Sequence, residues 1–259
     1  MSILKFLSPC LSVVFLTFSS YGRQADSTQT SSSFSGTVGI STNGFSINPA
    51  FSLNRPGVLV NVALRKNKFS FEPDIRLAPD AKNGGLIWWF RYRLVDNKKF
   101  GLRVGAHPAF TLIRRTDTEN GNSAEITEML RFLAFEVVPS YQFTPHFGVS
   151  AMYLQGHALQ KNGPQLTRVL FLNTAITNLH LNENLRFSLF PTVFFLFTDG
   201  HRGDYLTLTA LLAHKKSPFS LQATINQTFT SNIPGNKDFM WNLTLNYNFK
   251  RYLSKTGKS

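Results

Sequence analysis

Two carboxylates and a histidine are the residues of this chain best suited to chemistry on a substrate. Glu72 and Asp74 stand two positions apart, and His107 follows on a later segment. A carboxylate that works with a histidine can activate a water molecule for hydrolysis. Arginines are scattered through the same segments, so the acids could equally form structural ion pairs. The choice between these roles depends on the elements that carry the residues and on the direction of each side chain.

The charged residues fall on alternate positions of segments that resemble β-strands. Successive side chains of a strand point to opposite faces, so residues two apart share a face. In residues 69–78 the apolar side chains are mostly odd-numbered, whereas Glu72, Asp74 and Arg76 are even-numbered. The same separation recurs in later segments. The residues predicted to form one inward charged cluster are Glu72, Asp74, Arg76, Arg91, Arg93, Arg103, His107, Glu136 and Arg186.

The chain divides into strand-like runs separated by turn residues, and no helical periodicity stands out, which predicts an all-β fold. The first run contains Asn43-Gly44, a hairpin signal, but the parity of its apolar positions switches there, so we predict a bulge within one strand. A barrel of ten strands is the alternative. About twelve strands are predicted, at residues 34–53, 58–65, 69–78, 86–95, 100–114, 126–143, 147–160, 166–179, 185–198, 205–214, 219–230 and 239–249.

Prolines recur on the predicted strands, although proline removes a backbone donor from the ladder and is rare inside sheets. Each proline has the same odd or even numbering as the apolar side chains of its run, so it belongs to the apolar face. This shared orientation predicts local bulges or bends in the wall. These prolines are Pro49, Pro73, Pro108, Pro139 and Pro191.

The connections between the runs alternate in length. Tight turns such as 66–68 and 144–146 alternate with longer loops such as 79–85 and 115–125. This alternation is typical of a transmembrane, antiparallel up-and-down β-barrel of the outer membrane, with tight turns in the periplasm and longer loops outside. The apolar parity would then face lipid. The charged parity would face a wet lumen, because a dry core could not hold so many charges.

The N-terminus predicts export. Lys5 is followed by an apolar stretch and then by small residues, which indicates a signal peptide cleaved after Gly22. The single cysteine, Cys10, lies within this leader, so the mature protein would form no disulfide. The predicted organisation is a signal peptide at 1–22, a disordered lead-in at 23–33, the barrel at 34–249 and a basic periplasmic tail at 250–259.

The formal net charge is +13, yet the basic residues form no cluster of the kind that binds nucleic acid. A basic, aromatic-rich exported protein suits a surface rich in lipid phosphates, so outer-membrane lipid and lipopolysaccharide are the predicted partners. No zinc spacing, phosphate loop or dinucleotide fingerprint is present, and no metal or cofactor is predicted.

The aromatic residues predicted to form an interfacial girdle are Trp88, Tyr141, Trp241, Tyr247 and Phe249.

The last run ends in the residues LNYNF at 245–249. With the leader and the alternating loops, this ending resembles Gram-negative outer-membrane β-barrel proteins. The resemblance implies an outer-membrane location and recognition by the barrel insertion machinery. The segment VGISTNG at 38–44 is similar in style to uncharacterised barrels of Bacteroidota.

We therefore predict a narrow-lumen barrel that is structural, binds a partner in an envelope complex, or conducts small solutes with a preference for anions. No enzyme is expected. Glu72, Asp74 and His107 resemble half of an omptin-type protease site, but the second acid–histidine pair is missing. The His-x-Ser arrangement of phospholipase and lipid A deacylase barrels is also missing. The alternatives are an outer-membrane hydrolase acting on lipid or peptide, and a soluble periplasmic β-barrel binding protein.

Overall fold

The structure is a computed structural model that describes residues 32–44, 52–119 and 122–253, without the side chains of 117–119 and 122–123. The predicted signal peptide, most of the lead-in and the end of the tail lie outside these ranges and stay predictions. In the described part of the chain, no helix is long and apolar enough to cross a membrane.

The chain forms a closed barrel of twelve strands, and this confirms the predicted all-β barrel. Each strand pairs antiparallel with its sequence neighbours, and β1 pairs with β12. Closure leaves no free sheet edge. The strands are β1 Ser32–Ser41, β2 Gly57–Lys66, β3 Phe69–Leu77, β4 Gly84–Asp96, β5 Phe100–Glu119, β6 Asn122–Thr144, β7 Phe147–Ala158, β8 Leu166–His180, β9 Leu185–Thr198, β10 His201–His214, β11 Phe219–Ser231 and β12 Phe239–Leu253.

The barrel is apolar outside and polar within. On β12, Trp241, Leu243 and Leu245 are between 40% and 53% exposed, whereas the intervening Asn242 and Thr244 are 3% and 1% exposed. Large apolar side chains are exposed on the other strands too, and buried polar residues alternate with them. This is the inverse of a soluble barrel and the arrangement of one that spans lipid.

The two ends of the barrel differ in their connections. Turns at 67–68, 97–99, 145–146, 181–184 and 215–218 close one end, which we call the short-turn end. The segments at 78–83, 159–165 and 232–238 lie at the opposite end, which we call the loop end. The chain also enters and leaves the wall at the short-turn end, because Ser32 pairs with Leu253 and Lys66.

The predicted first strand is wrong beyond Ser41, where the chain leaves the wall. Gly44 adopts a φ of 49°, and the N–H of Leu53 donates to the carbonyl of Gly44 at 3.1 Å. The Asn43-Gly44 signal therefore marks the end of β1 and not a bulge within it. Residues 45–51, including Pro49, lie outside the described residues.

Three other boundaries differ from the prediction. The expected loop at 199–204 is a two-residue turn, in which Asp199 and Gly200 have φ values of 44° and 85°. Positive φ at both positions matches the twist of adjoining strands, so the hairpin can be this tight. The β5–β6 hairpin continues until Glu119 pairs with Asn122, and β12 continues to Leu253. Much of the expected 115–125 loop and part of the expected tail are therefore strand.

The prolines open the ladder on one side without changing its register. On the side of Pro73 that faces β2, two consecutive residue pairs are missing from the ladder, which resumes in the same register at Leu64. On its other side, Pro73 pairs with Trp88 on β4. The same one-sided gap occurs at Pro108, Pro139 and Pro191. The predicted bulges are therefore wrong at these prolines. Each proline, which has no N–H to donate, faces a gap of two residue pairs, and the register is the same on both sides of the gap. Register shifts lie elsewhere, at residues 93–95, 142–144, 176–179 and 204–205.

Candidate functional site

The inward charges gather around Arg91 on β4, which is 3% exposed. Its Nε and Nη2 donate to Glu136 at 2.7 and 3.2 Å, and its Nη1 donates to Glu72. Glu72 and Glu136 are themselves buried. One guanidinium thus satisfies two carboxylates, which stabilises buried charges that would be costly alone.

Gly105 on β5 makes this arrangement possible. It pairs with Arg91 on β4 and with Glu136 on β6, so it lies directly between them. A Cβ on Gly105 would be 3.0 Å from the Cγ atoms of both residues. The missing side chain leaves the space in which they meet. This role of Gly105 could not be predicted from the sequence, because it depends on which residues pair across two ladders.

Two further arginines extend these contacts into a continuous series. Arg65 Nη2 is 3.1 Å from Glu72 Oε1, and Arg103 Nε is 3.3 Å from Glu136 Oε1. We call the series Arg65–Glu72–Arg91–Glu136–Arg103 the ion-pair chain. It runs around the inner wall from β2 to β6 and contains one more guanidinium than carboxylates. Arg65 was not among the predicted inward residues, because it stood at the very end of its predicted strand.

Asp74 and Arg76 form a separate pair on β3. Arg76 donates from Nε and Nη2 to the two oxygens of Asp74, at 3.1 and 2.9 Å, and both side chains are buried. The two acids that stand two positions apart therefore bind different arginines. Their charges are used in ion pairs within the wall.

His107 is fully buried on β5 and stacks inside the barrel. Its ring centroid is 3.8 Å from that of Trp89, and the Arg91 guanidinium lies 4.0 Å above the Trp89 ring. Neither ring nitrogen of His107 has a hydrogen-bond partner in the described residues. The structure thus does not bring His107 together with Glu72 or Asp74 as a hydrolytic site requires.

The two remaining predicted cluster residues lie nearer the short-turn end. Arg93 on β4 pairs with Asp96 at 2.8 Å and donates to the carbonyl of Asn67. Arg186 lies on β9, across the barrel from the ion-pair chain, and is half-buried. Among the described residues no carboxylate is within ion-pair distance of Arg186. The predicted single cluster is therefore split between two walls.

An apolar layer fills the interior towards the loop end. Phe194 stacks on Tyr205 with ring centroids 4.6 Å apart, and Phe171 lies 5.2 Å from Phe194. Ile233, from the β11–β12 connection, is buried in the same cluster. The β7–β8 connection covers it as well, since a Cβ on Gly163 would touch Phe132 at 3.5 Å. The apolar layer thus lies towards the loop end and the ion-pair chain lies nearer the short turns, whereas the Asp74–Arg76 pair is buried near the loop end of β3.

The buried polar side chains of the inner wall opposite the ion-pair chain carry no charge, and the half-buried Arg186 lies on the same wall. Thr192 donates to Asn173 at 3.1 Å, and Asn226 donates to Thr207 at 2.8 Å. We call this set of amides and hydroxyls on β8 to β12 the neutral wall. Its other buried members include Thr167, Ser188, Thr198, Ser220, Thr224, Asn242, Thr244 and Asn246.

The predicted girdle residues lie on the outer surface. Trp88, Tyr141, Trp241 and Tyr247 are exposed there, and Phe249 is half-buried against Phe34, with ring centroids 5.3 Å apart. Trp88 also contacts Phe110 edge-on at 5.6 Å. Exposed aromatic rings of this kind suit the headgroup regions of a bilayer.

The inside-out surface and the closed wall define an outer-membrane β-barrel fold. No family model and no curated protein matches the chain. Solved structures do match. The KdgM porin is 11% identical over 83% of this chain and 99% of that chain, with a TM-score of 0.50. The COG4313 outer membrane channel from Pseudomonas putida F1 is 12% identical over 87% of this chain and 98% of that chain, also at 0.50.

These likenesses show the fold and support an outer-membrane location. The predicted resemblance to Bacteroidota barrels is not shown by them and stays a prediction.

The prediction that the protein is not an enzyme is wrong. The matching barrels include outer-membrane enzymes, among them LpxR from Salmonella typhimurium, at 9% identity over 83% of this chain and 99% of that chain with a TM-score of 0.44. A barrel fold by itself does not exclude catalysis, and likeness at this level transfers no activity to this chain. In the described residues no three His, Cys, Asp or Glu side chains are grouped as a metal site.

Proposed function

We propose that the protein is a narrow outer-membrane channel that favours small anionic solutes. The observation that carries the proposal is the excess of inward guanidinium groups over carboxylates. The ion-pair chain holds one surplus arginine, and Arg186 adds a second positive charge that no carboxylate of the described residues pairs with. Rings of positive side chains lower the energy of an anion in a pore and raise that of a cation.

The exposure of these arginines fits a solvated path. The side chains of Arg65 and Arg103 are 26% and 24% exposed, whereas Arg91 between them is 3% exposed. Arg91 therefore acts as the fixed centre that holds β3, β4 and β6 together. The outer members of the ion-pair chain keep part of their guanidinium surface available to water and solute.

The apolar layer sets the conductance in this proposal. Hydrophobic constrictions restrict ion flow because water leaves them easily. We expect small, interrupted currents, with the constriction at Phe171, Phe194 and Tyr205. The fold of this chain is shared with a porin and an outer membrane channel, which is consistent with a path through the barrel.

Planar bilayer recordings in a potassium chloride gradient test the proposal. The wild-type protein should give a reversal potential that indicates a chloride to potassium permeability ratio above unity. An Arg103→Gln and Arg186→Gln double variant should bring that ratio close to unity, because it removes the surplus lumen charge. Arg168→Gln, an outward-facing arginine, is the matched control and should leave the ratio unchanged.

Heat-modifiable gel migration verifies that each variant is folded before recording. A folded wild-type barrel that carries no current would overturn the channel proposal and support the structural role. A double variant with wild-type selectivity would show that these arginines do not select the solute.

A further inference from the structure

We infer that the outer surface of β6 to β10 binds the phosphate groups of a phosphorylated lipid in the outer leaflet, as in lipopolysaccharide. This binding site lies on the outside of the barrel, apart from the proposed channel. It requires only that the barrel spans a membrane with its loop end facing out.

Three arginines on this face point away from the lumen. Arg131, Arg168 and Arg202 are exposed, and each has the parity of the apolar, lipid-facing side chains of its strand. Leu133 and Leu170 are the next outward residues towards the short-turn end on β6 and β8, and both are exposed. These are the positions at which an outer-membrane strand normally carries apolar residues.

The three arginines lie at the same height on their strands. Arg131, Arg168 and Arg202 are 13, 12 and 12 residues from the short-turn ends Thr144, His180 and His214. A strand tilted as in outer-membrane barrels climbs about 30 Å over such a length, against an apolar band about 25 Å tall. The guanidinium groups therefore reach the outer headgroup boundary, where an arginine is tolerated far better than at the midplane of the bilayer.

The registers place two of these groups, Arg168 and Arg202, within reach of one ligand. Arg168 pairs with Gln155 on β7 and with Phe197 on β9, and Phe197 pairs with Arg202 on β10. Two strand spacings separate Arg168 from Arg202, or about 10 Å. The Arg202 guanidinium lies 5.4 Å from the centre of the Phe197 ring. A lipid with more than one phosphate could contact both arginines at once.

The arginines on β6 and β8 have no counter-charge of their own. No hydrogen bond or ion pair to the side chains of Arg131 and Arg168 exists among the described residues, and Arg202 alone pairs with Asp204, at 2.9 Å. Guanidinium groups bind phosphate oxygens in a forked geometry. Two unpaired arginines at a lipid headgroup boundary therefore favour phosphate as the missing partner.

Three other arginines at the loop end are paired with carboxylates, unlike Arg131 and Arg168 on this face. Asp80 binds both Arg55 and Arg114, at 3.0 and 2.8 Å, and Arg115 pairs with Glu128 at 3.1 Å. Those pairs lie around β3 to β6. Among the described arginines at the loop end, those without a carboxylate partner are thus Arg131 and Arg168, on β6 and β8.

Polar side chains on β7 complete the site between Arg131 and Arg168. The hydroxyl of Tyr153 donates to Gln155 at 2.9 Å, and Gln155 Nε2 is 3.0 Å from His157 Nε2. This row stands on the lipid-facing parity and rises to the same boundary. It offers hydrogen-bonding groups for the sugar or phosphate oxygens of a headgroup, above an apolar surface that suits acyl chains.

Native mass spectrometry of the detergent-solubilised barrel tests the inference. The probes are bisphosphorylated lipid A, its fully dephosphorylated form and phosphatidylcholine. We expect selective retention of the bisphosphorylated lipid, and a loss of affinity of about tenfold in an Arg131→Gln and Arg168→Gln double variant. Arg251→Gln, an exposed arginine at the short-turn end, is the matched control and should bind as wild type.

A conservative Arg131→Lys and Arg168→Lys variant should keep part of the affinity, since it retains the charge but not the fork. Heat-modifiable migration confirms that each variant is folded. Equal retention of the three lipids by wild type, or unchanged binding in the Gln double variant, would overturn the inference. Neither result depends on whether the barrel conducts, so the channel proposal is tested separately.

Discussion

The two inner walls of this barrel bury polar groups in different ways. Between β2 and β6 the wall carries formal charges that satisfy each other in the ion-pair chain, centred on Arg91. On the neutral wall, amides and hydroxyls satisfy each other in separate local pairs, such as Asn226 with Thr207. In both walls, inward polar residues alternate with outward apolar residues that face lipid. The difference lies in how many partners each buried group depends on.

This difference predicts unequal tolerance to change. A buried charge that loses its partner keeps its full desolvation penalty, whereas a neutral group that loses one hydrogen bond loses much less. The charged wall should therefore behave as one coupled unit. The neutral wall should behave as a set of independent contacts.

Glu136→Gln should give the largest effect. It removes the carboxylate shared by Arg91 and Arg103, which leaves a buried guanidinium with half of its compensation. We expect a loss of about 3–5 kcal/mol in the free energy of unfolding, the cost of breaking a buried ion pair. Urea-induced unfolding in lipid vesicles, followed by heat-modifiable migration, measures it. A loss below about 1 kcal/mol would place the ion-pair chain in water and contradict its structural role.

Gly105→Ala should rank second. The added methyl group would lie 3.0 Å from Arg91 and Glu136 and force them apart. Overpacking of this kind costs about 1–3 kcal/mol. The same unfolding assay measures the loss, and Gly200→Ala is unsuitable as a control because Gly200 has a positive φ of 85°. Ser150→Ala, an inward residue on β7, is a better one, and a loss as small as in that control would refute the packing argument.

Thr207→Val should produce a smaller loss on the neutral wall. It removes the hydroxyl that accepts from Asn226 and keeps the side-chain volume. We expect about 1 kcal/mol, the net value of one hydrogen bond. Combining it with Glu136→Gln should give additive losses, because the two residues share no partner. A Thr207→Val effect equal to that of Glu136→Gln would remove the distinction between the walls.

The exposed ion pairs at the loop end should matter least. The Lys82 backbone N–H, with Arg55 and Arg114, lowers the pKa of Asp80 below its usual value. A carboxyl whose pKa is lowered by folding contributes stability above its unfolded pKa, and that contribution disappears as the pH falls through the folded pKa. Asp80→Asn should therefore show a slightly smaller drop in unfolding temperature than wild type on acidification below about pH 4. Identical acid profiles would mean that these loop contacts add no stability.

Much of the fold followed from sequence parity and turn chemistry. Alternation on residues 69–78 and 239–249 predicted the lipid-facing and lumen-facing sides, and the spacing of turns predicted the twelve strands. The errors arose where local signals have two meanings. Asn43-Gly44 can end a strand or bulge it, and a proline in a ladder can open one side without shifting the register.

The site was harder to predict than the fold. Parity identifies the inward residues, but it does not show which of them touch. Arg186 points inward like the residues of the ion-pair chain, yet it lies on the opposite wall of the barrel. Gly105 gains its role only from residues on two neighbouring strands. The outward Arg131 and Arg168 break the lipid-facing pattern, and this departure from the pattern was not used in the prediction.

Cysteine accessibility in proteoliposomes tests the central claim, that the polar side of the wall is a wet, positively charged lumen. In a Cys10→Ser background, Ser140→Cys places a thiol inside the charged wall, Ser220→Cys inside the neutral wall and Val137→Cys on the lipid side. Anionic and cationic water-soluble thiol reagents are compared at each position. We expect reaction at 140 and 220, a higher anionic to cationic rate ratio at 140 than at 220, and no reaction at 137. Equal reaction at 140 and 137, or a cationic preference at 140, would contradict the claim.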